Sequence, residues 1–391
     1  MFNRVCSVMV LLFCSIIFGI ENFEIKSKIN KNYILKFKSN AIDFEQHGDY
    51  VRLVDNKNLG RTSELGFPEL PQFSTFFQMD PGVEYSVNFN IKKSSIIENI
   101  KVFPYQNEDY IRNETVIIQN YQDYNRSDTF PEKNLVRSDV MKSRGMELFS
   151  ITFIPFNYDI QNERLEIIEE VEIEINESGV RDDMDNHNFK KSYILEPLYA
   201  DFIINYTYSD NSSDYQHPAI MYICGGNSAD NDYLQDLFAW RHKQGYIVYV
   251  IPESEAGNNL ESIRSYLQTA YNTWENPPEI VAIVGDTDGG FSMPYEQHFW
   301  NGYDGASDFE YSQLDGNDLI PEVVIGRMSA YSSNQLNVIA NKFTITPWVL
   351  LVPITVILII IKKVAAIPAL FFGTLLGALF AILFQPDIVL E

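Results

Sequence analysis

One thiol and a row of aspartates are the residues here whose chemistry could form a site. Cys224 ends a short apolar segment, residues 219–224, beside Gly225 and Gly226. A cysteine is a nucleophile only as the thiolate, so it needs a lowered pKa and a base, usually histidine. His217, His242 and His298 lie in the same stretch, but no spacing pairs any of them with Cys224. Cys224 therefore reads as a small apolar residue finishing a buried strand. His298, among Gln297, Phe299 and Trp300, reads as a packing residue. His47 and His187 stand alone, as solvated loop residues do. Asp286, Asp288, Asp304, Asp308, Asp315 and Asp318 form an acidic run. Clustered carboxylates are the hard oxygen ligands that Ca2+ takes, although this spacing is not that of the twelve-residue EF-hand loop. Asp286, Asp308 and Asp315 are the candidate metal ligands, with Ca2+ as the expected ion. Plain solvated surface is the alternative.

The elements that must position these residues alternate between strand and helix. Apolar runs at 219–224, 246–251, 279–284 and 322–325 predict four strands. Between the first two, Asn227 or Ser228 is expected to cap a helix running to Lys243, which Gly245 ends. Ile263, Leu267 and Tyr271 recur at helical spacing within 260–274, before Pro277 and Pro278. A third helix is expected from Ser332 or Ser333 to Lys342. Such alternation indicates a doubly wound α/β sheet, whose ligands sit beyond the carboxyl ends of the strands. Asp286 holds that position.

Upstream the pattern has a period of two. Residues 85–91 (YSVNFNI) and 171–175 (VEIEI) alternate, and 148–156 with 164–168 predict a hairpin around the polar turn 159–163. The reading is a β-sandwich-like module over residues 20–208, a linker at 209–217 and an α/β domain over 218–345. Residues 176–217 are rich in Asp, Asn, Ser and Tyr with little periodicity, and Arg181, Lys190 and Lys191 in them could meet a processing protease. No Gly-rich phosphate loop or Cys/His metal spacing occurs here. The chain carries 53 acidic and 29 basic residues, a net charge of −24. Residues 201–345 alone hold 20 acidic and 5 basic residues. That balance argues against nucleic acid as a partner, because phosphate binding needs a basic face. Three cysteines in 391 residues exclude a disulfide-rich scaffold.

The two ends differ from the rest. Arg4, the apolar run 5–18 and Gly19 read as a secretory signal over residues 1–19. Its removal would take Cys6 and Cys14 and leave Cys224 as the one thiol, in keeping with an exported protein of a bacterial envelope. Residues 347–361 and 364–384 are apolar and separated by Lys362 and Lys363. They predict two transmembrane helices over 347–384, the second with Gly373 and Gly377 at close-packing spacing, and hence a membrane as partner.

Three segments, PEIVAIVGD (278–286), SDFEYSQLDGND (307–318) and PEVVIGRMS (321–329), together resemble the gingipain family of cysteine peptidases. Residues 65–74 (LGFPELPQFS) and 153–159 (FIPFNYD) are similar to that family's propeptide. The resemblance spans roughly residues 30–345. It implies a secreted zymogen in which a propeptide precedes a caspase-like domain that often binds Ca2+ and cuts peptide or protein substrates with a Cys–His dyad. In the family both dyad residues lie beyond the strand matched here by Ile325 to Arg327. Nothing after Arg327 is His or Cys, so no catalytic residue is assigned, and the peptidase part is read as truncated and inactive. Asp318 falls near an aspartate that shapes the pocket for a substrate's basic side chain in Arg-specific members, and is the substrate-binding candidate. The tail 347–387 resembles an internal helix pair of Nha-type sodium/proton antiporters. Two helices cannot build a transport pathway, so a junction near 344–347 joining two unrelated coding segments is expected. The alternative is a non-catalytic envelope binding protein anchored by a membrane hairpin.

Overall fold

The computed structural model describes residues 22–55, 60–111, 114–118, 129–181, 189–300, 303–316 and 318–341. The expected signal at 1–19 and helix pair at 347–384 lie outside these residues, as does His187. Among the described residues no helix is long and apolar enough to cross a membrane. The chain divides into two units. One comprises residues up to Gln216 with Phe299–Asp304 and Gln313–Glu322; the other holds His217–His298, Gly305–Ser312 and the residues from Val323 onward.

The first unit is antiparallel. β1 (Phe23–Ile29), β2 (Asn32–Lys38), β4 (Val83–Ile97), β5 (Thr129–Phe130), β9 (Phe156–Asp159) and β10 (Arg164–Val180) form one sheet. Its spine is β10, which pairs with β4 along one side and with β2 and β9 along the other. β3 (Phe73–Gln78), β6 (Leu135–Arg137), β7 (Met141–Ser143) and β8 (Met146–Phe153) form the second sheet, centred on β8. Alternation decides which side chains face inward. Tyr33, Leu35 and Phe37 of β2, Phe73 and Phe77 of β3, Phe149 and Phe153 of β8, and Val171, Ile173 and Ile175 of β10 share one core. Both sheets contribute, as expected of a sandwich. The hairpin expected from 148–156 with 164–168 is divided. β9 pairs with β10, whereas β8 belongs to the other sheet. Ile154–Pro155 lies between β8 and β9, and Pro155 has no N–H to donate to a ladder.

Residues 189–216 are held to this unit. Helix α1 (Glu196–Phe202) precedes a short turn at Ser212–Asp214 in the segment read as a linker. Tyr215 stacks on Tyr193 at 3.9 Å between ring centroids and donates to the buried Glu196 carboxylate at 2.7 Å. Arg181 is not open to a protease: its side chain is 13% exposed and pairs with Glu84 and Glu147. Lys191 donates to the Thr207 carbonyl, while Lys190 is exposed.

The second unit has a parallel sheet in the order β12–β11–β13–β14, from β11 (Ala219–Cys224), β12 (Ile247–Pro252), β13 (Ile280–Val284) and β14 (Val324–Met328). Helix α2 (Asp232–Lys243) and helix α4 (Ser333–Asn341) bury Leu234, Phe238 and Leu336 against Ile220, Tyr222, Cys224 and Val284. Helix α3 (Leu260–Thr273) buries Ile263, Leu267 and Tyr271, the residues its spacing singled out. Two expected boundaries move. Residues 228–230 form a separate short turn, and Asn231 caps α2 by accepting from Tyr233 and Leu234 N–H. The last strand starts at Val324 rather than Glu322, because the Glu322 side chain is committed to a turn upstream.

Candidate functional site

The carboxyl ends of β11 and β13 are where a ligand would be sought. They are closed by the chain itself. A Cβ on Gly225 would lie 2.7 Å from the Phe291 carbonyl oxygen, and one on Gly285, whose φ is +144°, would lie 2.0 Å from it. Met293 N–H donates to the Asp286 carbonyl at 2.7 Å. The glycines beside Cys224 thus let the backbone of residues 290–293 pass directly over the strand ends. They do not cradle a ligand.

Cys224 is fully buried and its thiol points back to the Tyr222 carbonyl at 3.9 Å. Burial pushes the thiol up to about 12, with Ser228 opposing. A thiol so placed is the reverse of an activated nucleophile, in agreement with its reading as a strand-ending apolar residue. His298 is half-exposed and lies 3.0 Å from Glu296, a surface contact in place of the expected packing.

Asp308 and Asp286 each have partners of their own. Asp308 receives the Arg327 guanidinium in a fork, Nε to Oδ2 at 2.8 Å and Nη2 to Oδ1 at 2.6 Å. Arg327 spends its remaining donors on the carbonyls of Gly285, Asp286, Met293 and Pro294. The pair is largely buried, with side chains 11% and 17% exposed. Asp286 is half-buried and accepts from the N–H of Thr287. Asp315 belongs to the other unit, and the Asp304 side chain lies outside the described ones. Among the described residues no three His, Cys, Asp or Glu side chains stand close enough to hold a metal ion. Asp286 and Asp308 form no such group among the described side chains, and the expectation of Ca2+ rests on the sequence alone.

Asp318 has different partners. Its Oδ2 accepts from Lys142 N–H in β7 at 2.8 Å, and its Oδ1 from Ile320 N–H at 2.8 Å. Gln313 Nε2 holds the Asp318 carbonyl at 2.7 Å. Arg144, in the β7–β8 turn, donates to the Glu322 carbonyl and to Gln216. The loop Gln313–Glu322 is thus tied to the second sheet of the first unit. The Asp318 carboxylate meets backbone amides on both oxygens. An apolar groove of about 580 Å³ beside α2, lined by Tyr222, Leu237, Val324 and Met328 among others, lies along the sheet rather than at its strand ends.

Arg327 and Glu322 are the site-forming residues that spacing did not reveal. Arg327 was visible only as part of a resembling segment, and Glu322 only as the start of a strand.

Residues 34–211 match the family Propeptide_C25, and residues 213–345 match Peptidase family C25. The Lys-gingipain of Porphyromonas gingivalis is 26% identical over 211 residues, a match that takes in 51% of this chain and 12% of that protein. The chain therefore spans about an eighth of the length of that relative. Among solved structures, the complex of Porphyromonas gingivalis RgpB pro- and mature domains aligns with TM-score 0.40 at 19% identity, over 48% of this chain and 98% of that one. A structure concerned with zymogenic latency of gingipain K from the same organism aligns with TM-score 0.34 at 17% identity, over 40% and 93%. Propeptide and peptidase matches follow one another in precursor order, and over residues 34–345 the chain is similar to C25 peptidase precursors.

Proposed function

We propose that this chain is the propeptide and the first part of the peptidase domain of an exported gingipain-type endopeptidase acting on protein substrates, in which the β-rich unit holds the substrate-recognition loop out of use. The observation that carries this reading is the Asp318 carboxylate, which is held by the Lys142 amide of the propeptide-like unit. In this reading Asp318 takes the basic side chain of a peptide, and Lys142 N–H occupies its oxygen until the β-rich unit is removed. The described residues supply no thiolate, since Cys224 is buried and its thiol is pushed up. This chain alone is therefore expected to hydrolyse nothing.

Two measurements test the proposal. Purified chain incubated with Arg- and Lys-containing peptides should give only background hydrolysis, and the same background in Cys224→Ala. Hydrolysis that vanishes in Cys224→Ala would overturn it. An Arg-terminated peptide should bind a Lys142→Pro variant, which lacks the N–H, at least about tenfold more tightly than wild type. That gain should disappear when Asp318→Asn is added. Equal binding by all three proteins would remove Asp318 from the substrate site.

A further inference from the structure

Two strands of the parallel sheet are entered through the same dipeptide, Pro278–Glu279 before β13 and Pro321–Glu322 before β14. Both glutamates are fully buried. Buried carboxyls need hydrogen-bond partners, and the two find different ones. Glu279 Oε2 accepts from Ala219 N–H at 3.0 Å, a contact to the start of the neighbouring strand β11. Glu322 Oε2 reaches back along its own loop and accepts from Leu314 N–H at 2.6 Å and Asp315 N–H at 3.1 Å. Its Oε1 is buried and accepts no hydrogen bond.

This places Glu322 at the base of the loop that carries Asp318. The carboxyl fixes the turn at Leu314 and Asp315. Gln313, the residue before that turn, then holds the Asp318 carbonyl. On the far side Arg144 Nη1 donates to the Glu322 carbonyl at 3.3 Å. Ile320 packs with Leu148, Leu195 and Tyr199. The loop is closed at both ends, and Asp318 lies between them with both carboxylate oxygens on backbone amides. A solvated loop would need no fully buried carboxyl at its foot.

We propose that Glu322 is a positioning residue for Asp318: by clamping the Leu314–Asp315 turn it sets where the Asp318 carboxylate is presented. The inference rests on the reading of Asp318 as a substrate contact for its functional meaning. The mechanical coupling of Glu322 to Asp318 stands or falls separately.

Amide hydrogen exchange on the full chain tests that coupling, because Lys142 N–H reports whether Asp318 is in place. Asp318→Ala should lower protection of the Lys142 amide about tenfold, the effect of one lost hydrogen bond. Glu322→Leu, which keeps the bulk and removes the acceptor, should lower protection of the Leu314, Asp315 and Lys142 amides by a similar factor while the β4–β10 amides stay unchanged. Glu322→Gln keeps an acceptor oxygen at the same reach and should restore all three to within about threefold of wild type. A Lys142 amide that stays protected in Glu322→Leu, yet is exposed by Asp318→Ala, would overturn the proposal. If Glu322→Leu does not fold, Glu322→Asp serves, because its carboxyl falls one methylene short of Leu314. Failure here would leave the peptidase assignment intact, and failed substrate binding at Asp318 would leave this exchange pattern intact.

Discussion

Asp308 and Asp318 are ten residues apart in one acidic stretch, and they are used in opposite ways. Asp308 lies in the α/β unit, where the Arg327 fork cancels its charge beneath a lid of four carbonyls. Asp318 belongs to the β-rich unit, where the N–H groups of Lys142 and Ile320 meet its two oxygens. An ion pair with saturated donors leaves no role for the carboxylate beyond holding strand ends together. A carboxylate held by two amides has no countercharge among the partners that hold it. The difference separates a charge-paired acid from an amide-held one more sharply than residue type or spacing does.

The widest gap should open when the sealed pair is broken. Arg327→Ala strips the fork from the Asp308 carboxylate and one donor from each of four carbonyls in a largely buried place. Removing one partner of a buried pair costs roughly 3–5 kcal/mol, and chemical denaturation should show a loss of that order. Arg327→Lys should recover little of it, because an ammonium cannot reproduce the fork. A loss below about 1 kcal/mol, the ordinary worth of an exposed pair, would mean that Asp308 is no more sealed than Asp318.

A smaller effect is expected from pH at the foot of the Asp318 loop. Burial raises the Glu322 carboxyl to about 8, with Asp315 and Asp318 adding to the rise and the Leu314 and Asp315 amides opposing it. The folded loop therefore binds this proton more tightly than the unfolded chain does. Its contribution is complete below the ordinary carboxyl range near 4.5, declines as pH rises toward about 8, and is flat beyond. Stability is therefore lost across that window as pH rises. It should emerge as the difference between the stability–pH curves of wild type and Glu322→Gln. Parallel curves would show that the loop is indifferent to this proton.

Much of this was legible in the chain. Ile263, Leu267 and Tyr271 mark the buried stripe of α3, and the alternation of 171–175 marks the spine of the first sheet. Local periodicity sets both, and periodicity survives in any context that offers an apolar partner. The partners of the acids were not legible. Asp308 meets an arginine nineteen residues away, and Asp318 meets an amide 176 positions back in the chain. Tertiary structure chooses those pairings, and every aspartate looks alike before it does. Hence three of them suggested a Ca2+ site on residue type and proximity in sequence alone. Nor does the sequence show why glycines follow Cys224: close backbone packing over Gly225 and Gly285 needs them there.

Below the pH effect comes the loss of Asp318 itself. Asp318→Ala frees two backbone amides at a half-buried position and should cost about 1–3 kcal/mol. That is clearly less than Arg327→Ala, and it should be confined in exchange experiments to Lys142 and the 313–322 loop. A loss as large as that of Arg327→Ala, or one spread through the parallel sheet, would make the two aspartates equivalent and erase the distinction between them.

The smallest effect is expected at the residue whose chemistry first drew notice. Cys224 has no exposure, and with the thiol near 12 roughly one molecule in ten thousand carries a thiolate at pH 8. Alkylation by iodoacetamide needs both access and that thiolate, so native protein should label no faster than it opens globally. Denatured protein should label at the rate of an ordinary cysteine. Fast labelling of the native chain would mean that the strand end is open after all. The seal formed by Phe291 and Met293 over Gly225 and Gly285 would then be the part of the site to redraw, with Arg327 and Asp308, which tie down the same backbone, redrawn along with it.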